Sequence, residues 1–189
     1  MRIVGGRLRG RPLAAPAGRA IRPTADRLRE TVFDILVHAY GDPVSGARVL
    51  DLFAGTGALG LEALSRGAAF CLLVDNDVAA RGFIRRNAEA LGLTGVTRVY
   101  RRDATRLGAI AGLEPFTLAF ADPPYGRGLG EAALAAAAAG GWLKPGALAV
   151  LEEAATGEIA PVAGLRLLET RRIGGSAVAV LERPPDASG

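Results

Sequence analysis

The chain has a single cysteine, a single histidine, a single lysine and no long uncharged apolar run. Each scarcity closes off a class of function. One cysteine, Cys71, cannot form an internal disulfide, and its setting in Phe70-Cys-Leu-Leu-Val74 reads as buried strand, not as a reactive thiol. One histidine, His38, and one cysteine make no metal-ligand cluster, so no metal is expected. No segment approaches the ~18 apolar residues of a membrane span, so no membrane partner is expected. The start, Met1-Arg-Ile-Val-Gly-Gly-Arg7, lacks the apolar stretch of a signal peptide. The expectation is a cytoplasmic protein.

Half of the 189 residues are hydrophobic, enough for one sizeable core. Positive charge is almost all arginine, and it is unevenly placed. Residues 1–30 hold eight arginines against Asp26 and Glu30, a net of +6, while the other 159 residues carry a net of −2. The guanidinium fork suits phosphate and can stack on bases. An arginine-rich segment of this kind reads as a nucleic-acid arm, with Arg2, Arg7, Arg9, Arg11, Arg22, Thr24 and Arg27 as candidate RNA contacts.

The pattern predicts a hairpin over 2–13, turning at Gly5-Gly6. A helix follows, capped by Thr24, with Leu28, Val32, Ile35, Leu36 and Ala39 on one face. From Ala47 onward, strands and helices alternate. Strands are expected at 48–53, 70–74, 96–100, 116–121, 147–151, 166–172 and 176–182. Helices are expected at 58–66, 78–91, about 104–111, and 130–139. The strands are apolar throughout, as expected of parallel strands covered on both faces. The fold class is therefore α/β, a doubly wound, Rossmann-like sheet. The division reads as a basic RNA-binding extension (1–40), a sheet domain (47–183) and a loose tail (184–189).

Two motifs carry chemistry. Asp51-Leu-Phe-Ala-Gly-Thr-Gly57 follows the first strand of the sheet, and Asp122-Pro-Pro-Tyr125 follows the fourth, 71 residues later. With 26 glycines, about 0.5 copies of Gly-x-Gly-x-x-Gly arise by chance, against roughly 0.0005 copies of Asp-Pro-Pro-Tyr. The second motif carries the weight. Asp51, Asp75, Asp103 and Asp122 each fall at a predicted strand end, where open α/β sheets bind ligands. Clustered carboxylates repel, and a cationic, hydroxyl-rich and amine-bearing ligand would reward them. Gly55 and Gly57 would admit the backbone of the turn close to a nucleoside-like cofactor. Asp51 would orient that turn and face the cationic methionine part of S-adenosylmethionine. Asp75 would accept from ribose hydroxyls, and Asp103, beside Ala104, from the adenine amine. Phe53 and Asn76 are expected to line the same cofactor, which Asp122 would also border. Any single aspartate, Asp103 above all, could instead be a helix cap or an exposed turn; for Asp75 the ribose role is favoured.

The tetrapeptide suits a planar exocyclic amine. The Asp122 carboxylate and the Pro123 carbonyl would accept its two N–H groups and draw its lone pair out of ring conjugation. Pro123 and Pro124 would fix the backbone and offer no competing N–H. Tyr125 would stack on the base. These four residues, Asp122, Pro123, Pro124 and Tyr125, are the candidate catalytic group. Catalysis would be mostly positioning and electrostatics. A base inside a helix cannot enter such a pocket, so a flipped or unpaired target is required.

The chain resembles the RsmD-type 16S ribosomal RNA guanine-N2 methyltransferases of bacteria over nearly its whole length. The resemblance runs through Ile3-Val-Gly-Gly6 with Arg9-Gly-Arg11, then Arg22-Pro-Thr24 with Asp26-Arg27 and Arg29-Glu30. It continues through Asp51 to Gly67 and ends with Asp122-Pro-Pro-Tyr125. It implies a seven-stranded S-adenosylmethionine-dependent methyltransferase fold with the last strand antiparallel. It also implies a guanine of small-subunit (16S) rRNA as target, modified in an assembly particle with ribosomal proteins. One departure is Ile173-Gly-Gly-Ser176, where such proteins often carry an aromatic-Gly-Asp-Thr turn. Other readings stand beside this one. One is a nucleic-acid adenine-N6 methyltransferase, because the amine chemistry is the same. Another is an NAD-dependent oxidoreductase, which leaves the tetrapeptide unexplained. A non-catalytic RNA-binding or assembly protein on the same fold is a third.

Overall fold

A computed structural model describes residues 1–17 and 23–185. Arg22 and the end of the tail, 186–189, lie outside the described residues. The elements run α1 (Pro23–Tyr40), β1 (Arg48–Leu52), α2 (Ala58–Ser65), β2 (Phe70–Val74), α3 (Val78–Ala90), β3 (Thr97–Tyr100), β4 (Phe116–Ala121), α4 (Leu129–Ala139), β5 (Leu143–Ala154), β6 (Arg166–Ile173) and β7 (Ser176–Glu182). The strand order is β3-β2-β1-β4-β5-β7-β6. Strands β1 to β5 pair in parallel, and β7 runs antiparallel to both neighbours. The order reverses between β1 and β4. That is the switch point at which an open α/β sheet leaves a crevice above its strand ends.

Alternating residues of the apolar strands feed two core layers. Val49 packs with α1, α2 and α3, whereas Leu50 and Leu52 pack with α4 and Trp142. Residues of the first forty share the first layer. Ile3, Leu13, Phe33 and Leu36 are buried there, and the Phe33 ring lies 5.4 Å from that of Phe120 in β4. Burying one such ring stabilises by about 1.5–3 kcal/mol.

Three local expectations change. The segment 2–13 has one antiparallel bridge, Arg2 to Pro12, and a 3-10 turn at Gly6–Leu8 in place of a regular hairpin. Backbone pairing persists between Ile3 and Arg11, Gly10 and Ile3, and Leu13 and Met1, but the Val4 and Gly5 N–H groups next to the turn donate to Glu62 of α2. The helix expected near 104–111 is a 3-10 turn at Ala104–Arg106. Gly108 has φ +68°, and its carbonyl accepts from the Trp142 indole at 2.7 Å. Thr24 does not cap α1: it is the second residue of that helix, behind Pro23. Proline suits a first helical position because its missing N–H would have no partner there anyway. Among the described residues no helix is long and apolar enough to cross a membrane, and no acid, His or Cys group could hold a metal.

Candidate active site

The four aspartates stand along one rim. Asp103, Asp75, Asp51 and Asp122 follow or close β3, β2, β1 and β4, four consecutive neighbours in the sheet. Asp51 and Asp122 flank the switch point, and their environments differ sharply.

Asp51 is 1% exposed. Its Oδ2 accepts the Gly60 N–H at 2.9 Å. Gly60 is the third residue of α2, where backbone N–H groups have no partner inside the helix and the dipole favours an anion. Asp51 therefore supports the turn from beneath. A Cβ on Gly60 would stand 2.5 Å from Cys71 Sγ and 3.0 Å from Asp51 Oδ2, so only glycine fits over this carboxylate. Burial pushes the Asp51 carboxyl from 3.8 up to about 7; the Gly60 hydrogen bond opposes the shift and the Asp75 charge adds to it.

The turn itself is strained. Phe53 has φ +60°, a conformation that bulky side chains rarely adopt. Gly57 has φ +81° and opens α2. Asp75, half-buried, braces the turn from the next strand. Its Oδ2 accepts the Gly55 N–H at 2.9 Å and its Oδ1 the Asp77 N–H at 2.9 Å. A carboxylate has about four lone-pair sites, so these two bonds leave acceptor capacity to spare. Asn76 is exposed beside it. Arg81, 6% exposed, donates to the carbonyls of Asp75, Asn76 and Asp77 and clamps this loop. Asp103 is exposed and accepts from the Thr105 N–H and hydroxyl at 2.9 and 2.7 Å. These bonds, above all the hydroxyl, hold its carboxyl below the usual value. It caps its own turn, while Ala104 is buried in the core.

Across the switch point, Asp122 is exposed and Pro123 is buried. A Cβ on Gly130 would come within 3.2 Å of the Pro123 ring, so α4 backs the loop closely. Pro124 is exposed where the chain bends away from β4. It therefore differs from Pro123: its ring stiffens the backbone ahead of Tyr125 and packs into no core. Tyr125 is 43% exposed. Its hydroxyl donates to Glu152 Oε1, two residues before β5 ends, and lies 3.3 Å from the Ser176 hydroxyl at the start of β7. Burial, then the bond to Glu152, raise its phenol well above the usual value. Gly126 N–H donates to Glu153 at 2.9 Å. The loop is thus pinned at both ends with its acid and its ring toward solvent.

The N-terminal segment lies against the same rim. The Thr56 hydroxyl donates to Met1 Sδ at 3.3 Å. Asn87 of α3 donates to the carbonyls of Ala14 and Thr56 and accepts from the Ala14 N–H at 2.7 Å. A hollow of about 670 Å³ opens beside Met1, walled by Arg2, Arg9, Asp26, Arg27 and Glu30. Arg2, Arg7, Arg9, Arg11 and Arg27 are exposed; Arg2 also lies 3.8 Å from Asp26, and Arg11 donates to the Ala90 carbonyl.

Sequence reasoning missed Glu62, Arg81, Asn87, Glu152 and Ser176. Two carried a signal: Glu62 is the one charge on the helix Ala58–Ser65, and Ser176 lies in the turn that departs from the family pattern.

Comparisons with known proteins agree in kind. A family model described as Conserved hypothetical protein 95 matches residues 1–182. Ribosomal RNA small subunit methyltransferase D of Escherichia coli strain K12 is 42% identical over 152 residues, which is 80% of this chain and 74% of that one. The solved Escherichia coli structure yhhF is 36% identical with a TM-score of 0.81, covering 98% of this chain and 99% of that one. A Thermus thermophilus 16S rRNA N2 G1207 methyltransferase (RsmC), solved with AdoMet and guanosine, is 24% identical with a TM-score of 0.69. It covers 97% of this chain and 49% of that one, and the likeness is one of fold.

Proposed function

The chain belongs to the Conserved hypothetical protein 95 family, to which its likeness to ribosomal RNA small subunit methyltransferase D also assigns it, and from that premise we propose that it methylates the exocyclic N2 amine of a guanine in small-subunit ribosomal RNA, with S-adenosylmethionine as donor. The observation that carries this reading is the pairing of the braced glycine turn with the exposed Asp122-Pro-Pro-Tyr125 loop across the switch point.

The residues fit such a cofactor. Asp75 keeps lone pairs for ribose hydroxyls beside the Gly55 turn, and the positive φ of Gly55 and Gly57 allows close backbone approach. When bound, S-adenosylmethionine supplies an electrophilic methyl group on a sulfonium. The chain's own part is positioning. Asp122 and the Pro123 carbonyl accept the two amine N–H groups, Pro124 keeps the backbone between them and the ring rigid, and Tyr125 stacks on the base. The nitrogen becomes acidic once methylated, so its proton leaves to Asp122 or water without a strong base. The exposed arginines bind phosphates, and the target is presented within a small-subunit assembly particle.

The test is nucleoside analysis of small-subunit particles lacking the modification, after incubation with the chain and methyl-labelled S-adenosylmethionine. N2-methylguanosine is the expected product; N6-methyladenosine, or no transfer, contradicts the reading.

Two further results are expected. Replacing Arg7, Arg9 and Arg11 with alanine should weaken RNA binding and flatten its salt dependence, the slope falling by about 0.7–0.9 for each phosphate no longer neutralised. S-adenosylmethionine affinity should stay put, and an unchanged salt slope would refute the role of the arm.

The second result concerns Asp51. Its folded carboxyl is raised, so the folded protein holds a proton between pH ~4 and ~7 that the unfolded chain has lost. The Asp51 contribution is therefore fully present below the ordinary carboxylate range and is lost as pH rises through about 7. Asp51→Asn keeps an acceptor for Gly60 and carries no charge. Urea unfolding of this variant across pH 5–8 should show a shallower fall in stability than the parent; equal slopes would be evidence against it.

A further inference from the structure

Asp122, the Pro123 carbonyl and Tyr125 treat the amines of guanine and adenine alike, so something else in the pocket must choose between them. We propose that Glu152 makes that choice by accepting the N1–H of guanine beside the amine held at Asp122. The proposal rests on the guanine reading above.

Its basis is register. In the parallel pairing of β4 with β5, Ala121 lies opposite Leu151. Asp122 and Glu152 each follow by one residue, so two acids leave the same rim on neighbouring strands. Tyr125 joins them. Its hydroxyl donates to Glu152 Oε1, and the Ser176 hydroxyl donates to that same oxygen at 2.9 Å. The Asp122 charge is also felt at this phenol. The phenol stays a neutral donor, so Glu152 is held in place as an acceptor. Glu153, next along β5, has a different task. It is 4% exposed, and its Oε1 accepts the Gly126 and Ala154 N–H groups at 2.9 and 2.7 Å. It fastens the loop and faces no base.

The two purines differ at the position next to the amine. Guanine offers N1–H and N2–H donors side by side. Adenine offers its N6–H donors beside the lone pair of N1. A second carboxylate gains a charge-assisted hydrogen bond from the first and faces electrostatic repulsion from the second. Sites built around a specific donor reject analogues lacking it far more strongly than apolar pockets reject a missing methylene. Ser176 belongs to the Ile173-Gly-Gly-Ser176 turn that departs from the family pattern, and here it supplies part of the anchor.

The experiment uses small-subunit particles reconstituted with either guanine or 2-aminopurine at the position that nucleoside mapping identifies. 2-Aminopurine keeps the amine at C2 and replaces N1–H with a lone pair. The unaltered chain should favour guanine by about 10,000-fold in kcat/KM. Glu152→Gln should shrink that preference to about 10-fold or less, losing rate mainly on guanine. Tyr125→Phe and Ser176→Ala, which loosen the tether and keep the carboxylate, should each shrink the ratio less than Glu152→Gln does. A Glu152→Gln variant that loses rate on both equally would make Glu152 a support for Tyr125 only and overturn the proposal. Equal use of the two bases by the unaltered chain would overturn it as well. Transfer to adenine in place of guanine would remove the guanine reading itself, an outcome distinct from a failed ratio.

Discussion

Asp122→Ala should lower the rate of methyl transfer by about 1000-fold while leaving RNA affinity within a factor of about two. Two effects add up to that loss. A hydrogen bond to a charged group contributes about 1.5–3 kcal/mol. The same carboxylate also holds the amine in line with the methyl donor, and misplacement by an ångström costs about 100-fold. A 1000-fold loss corresponds to about 4 kcal/mol of transition-state stabilisation. Asp122 is exposed, so its removal should leave the fold intact and the kinetics readable. Single-turnover assays with prebound particles check this. A variant with more than a tenth of the parental rate would remove Asp122 from the chemistry, and a parallel collapse of RNA affinity would make it a binding residue.

Glu62→Ala should destabilise the protein by about 3–5 kcal/mol, because it breaks a buried charge network and leaves its partners uncompensated. Glu62 is 0% exposed. It accepts the Val4 N–H at 2.8 Å, the Gly5 N–H at 2.7 Å and Arg66 Nε at 2.9 Å. Arg29, 5% exposed, brings its Nε within 3.4 Å of Glu62, an attraction of charge without hydrogen-bond geometry. Without Glu62 the Val4 and Gly5 N–H groups lose their acceptor and Arg66 its carboxylate, while Arg29 keeps only Asp26 and the Arg2 carbonyl. In a chain of this size the melting temperature should fall by about 10 °C or more. Amide exchange at Val4 and Gly5 should speed up first, because these donors tie the N-terminal segment to α2. A fall of less than about 2 °C would show that the network contributes little.

Much of the candidate site is readable from local pattern. Apolar runs of strand length locate Asp51, Asp75, Asp103 and Asp122 at strand ends, and parallel topology brings those ends to one rim. What the aspartates do there was less legible. Asp51 orients the turn, as its place ahead of the glycines suggests, but does so from beneath, because strand alternation points it toward α2. Asp75 braces Gly55 from the neighbouring strand. Asp103 caps Thr105. The two prolines of the tetrapeptide look equivalent in the sequence, yet Pro123 is buried against α4 and Pro124 is exposed. The residues that fasten the site were hidden for a different reason. Asn87 meets Ala14 and Thr56, and Glu152 meets Tyr125, across tens of residues of sequence. No periodicity encodes such pairs; they exist only once the sheet has set its register. The hairpin over 2–13 is cut short on the same ground: Ile3 still pairs with Gly10 and Arg11, while Glu62 takes the Val4 and Gly5 donors.

Where the target base sits decides how the transfer works. A crystal structure of this chain with S-adenosylhomocysteine and guanosine measures that directly. The guanine N2 should lie within about 2.7–3.2 Å of both an Asp122 carboxylate oxygen and the Pro123 carbonyl, with Tyr125 against the ring and the ribose of the cofactor on Asp75. Guanosine bound away from this loop, or a cofactor lodged off the Gly55 turn, would contradict it.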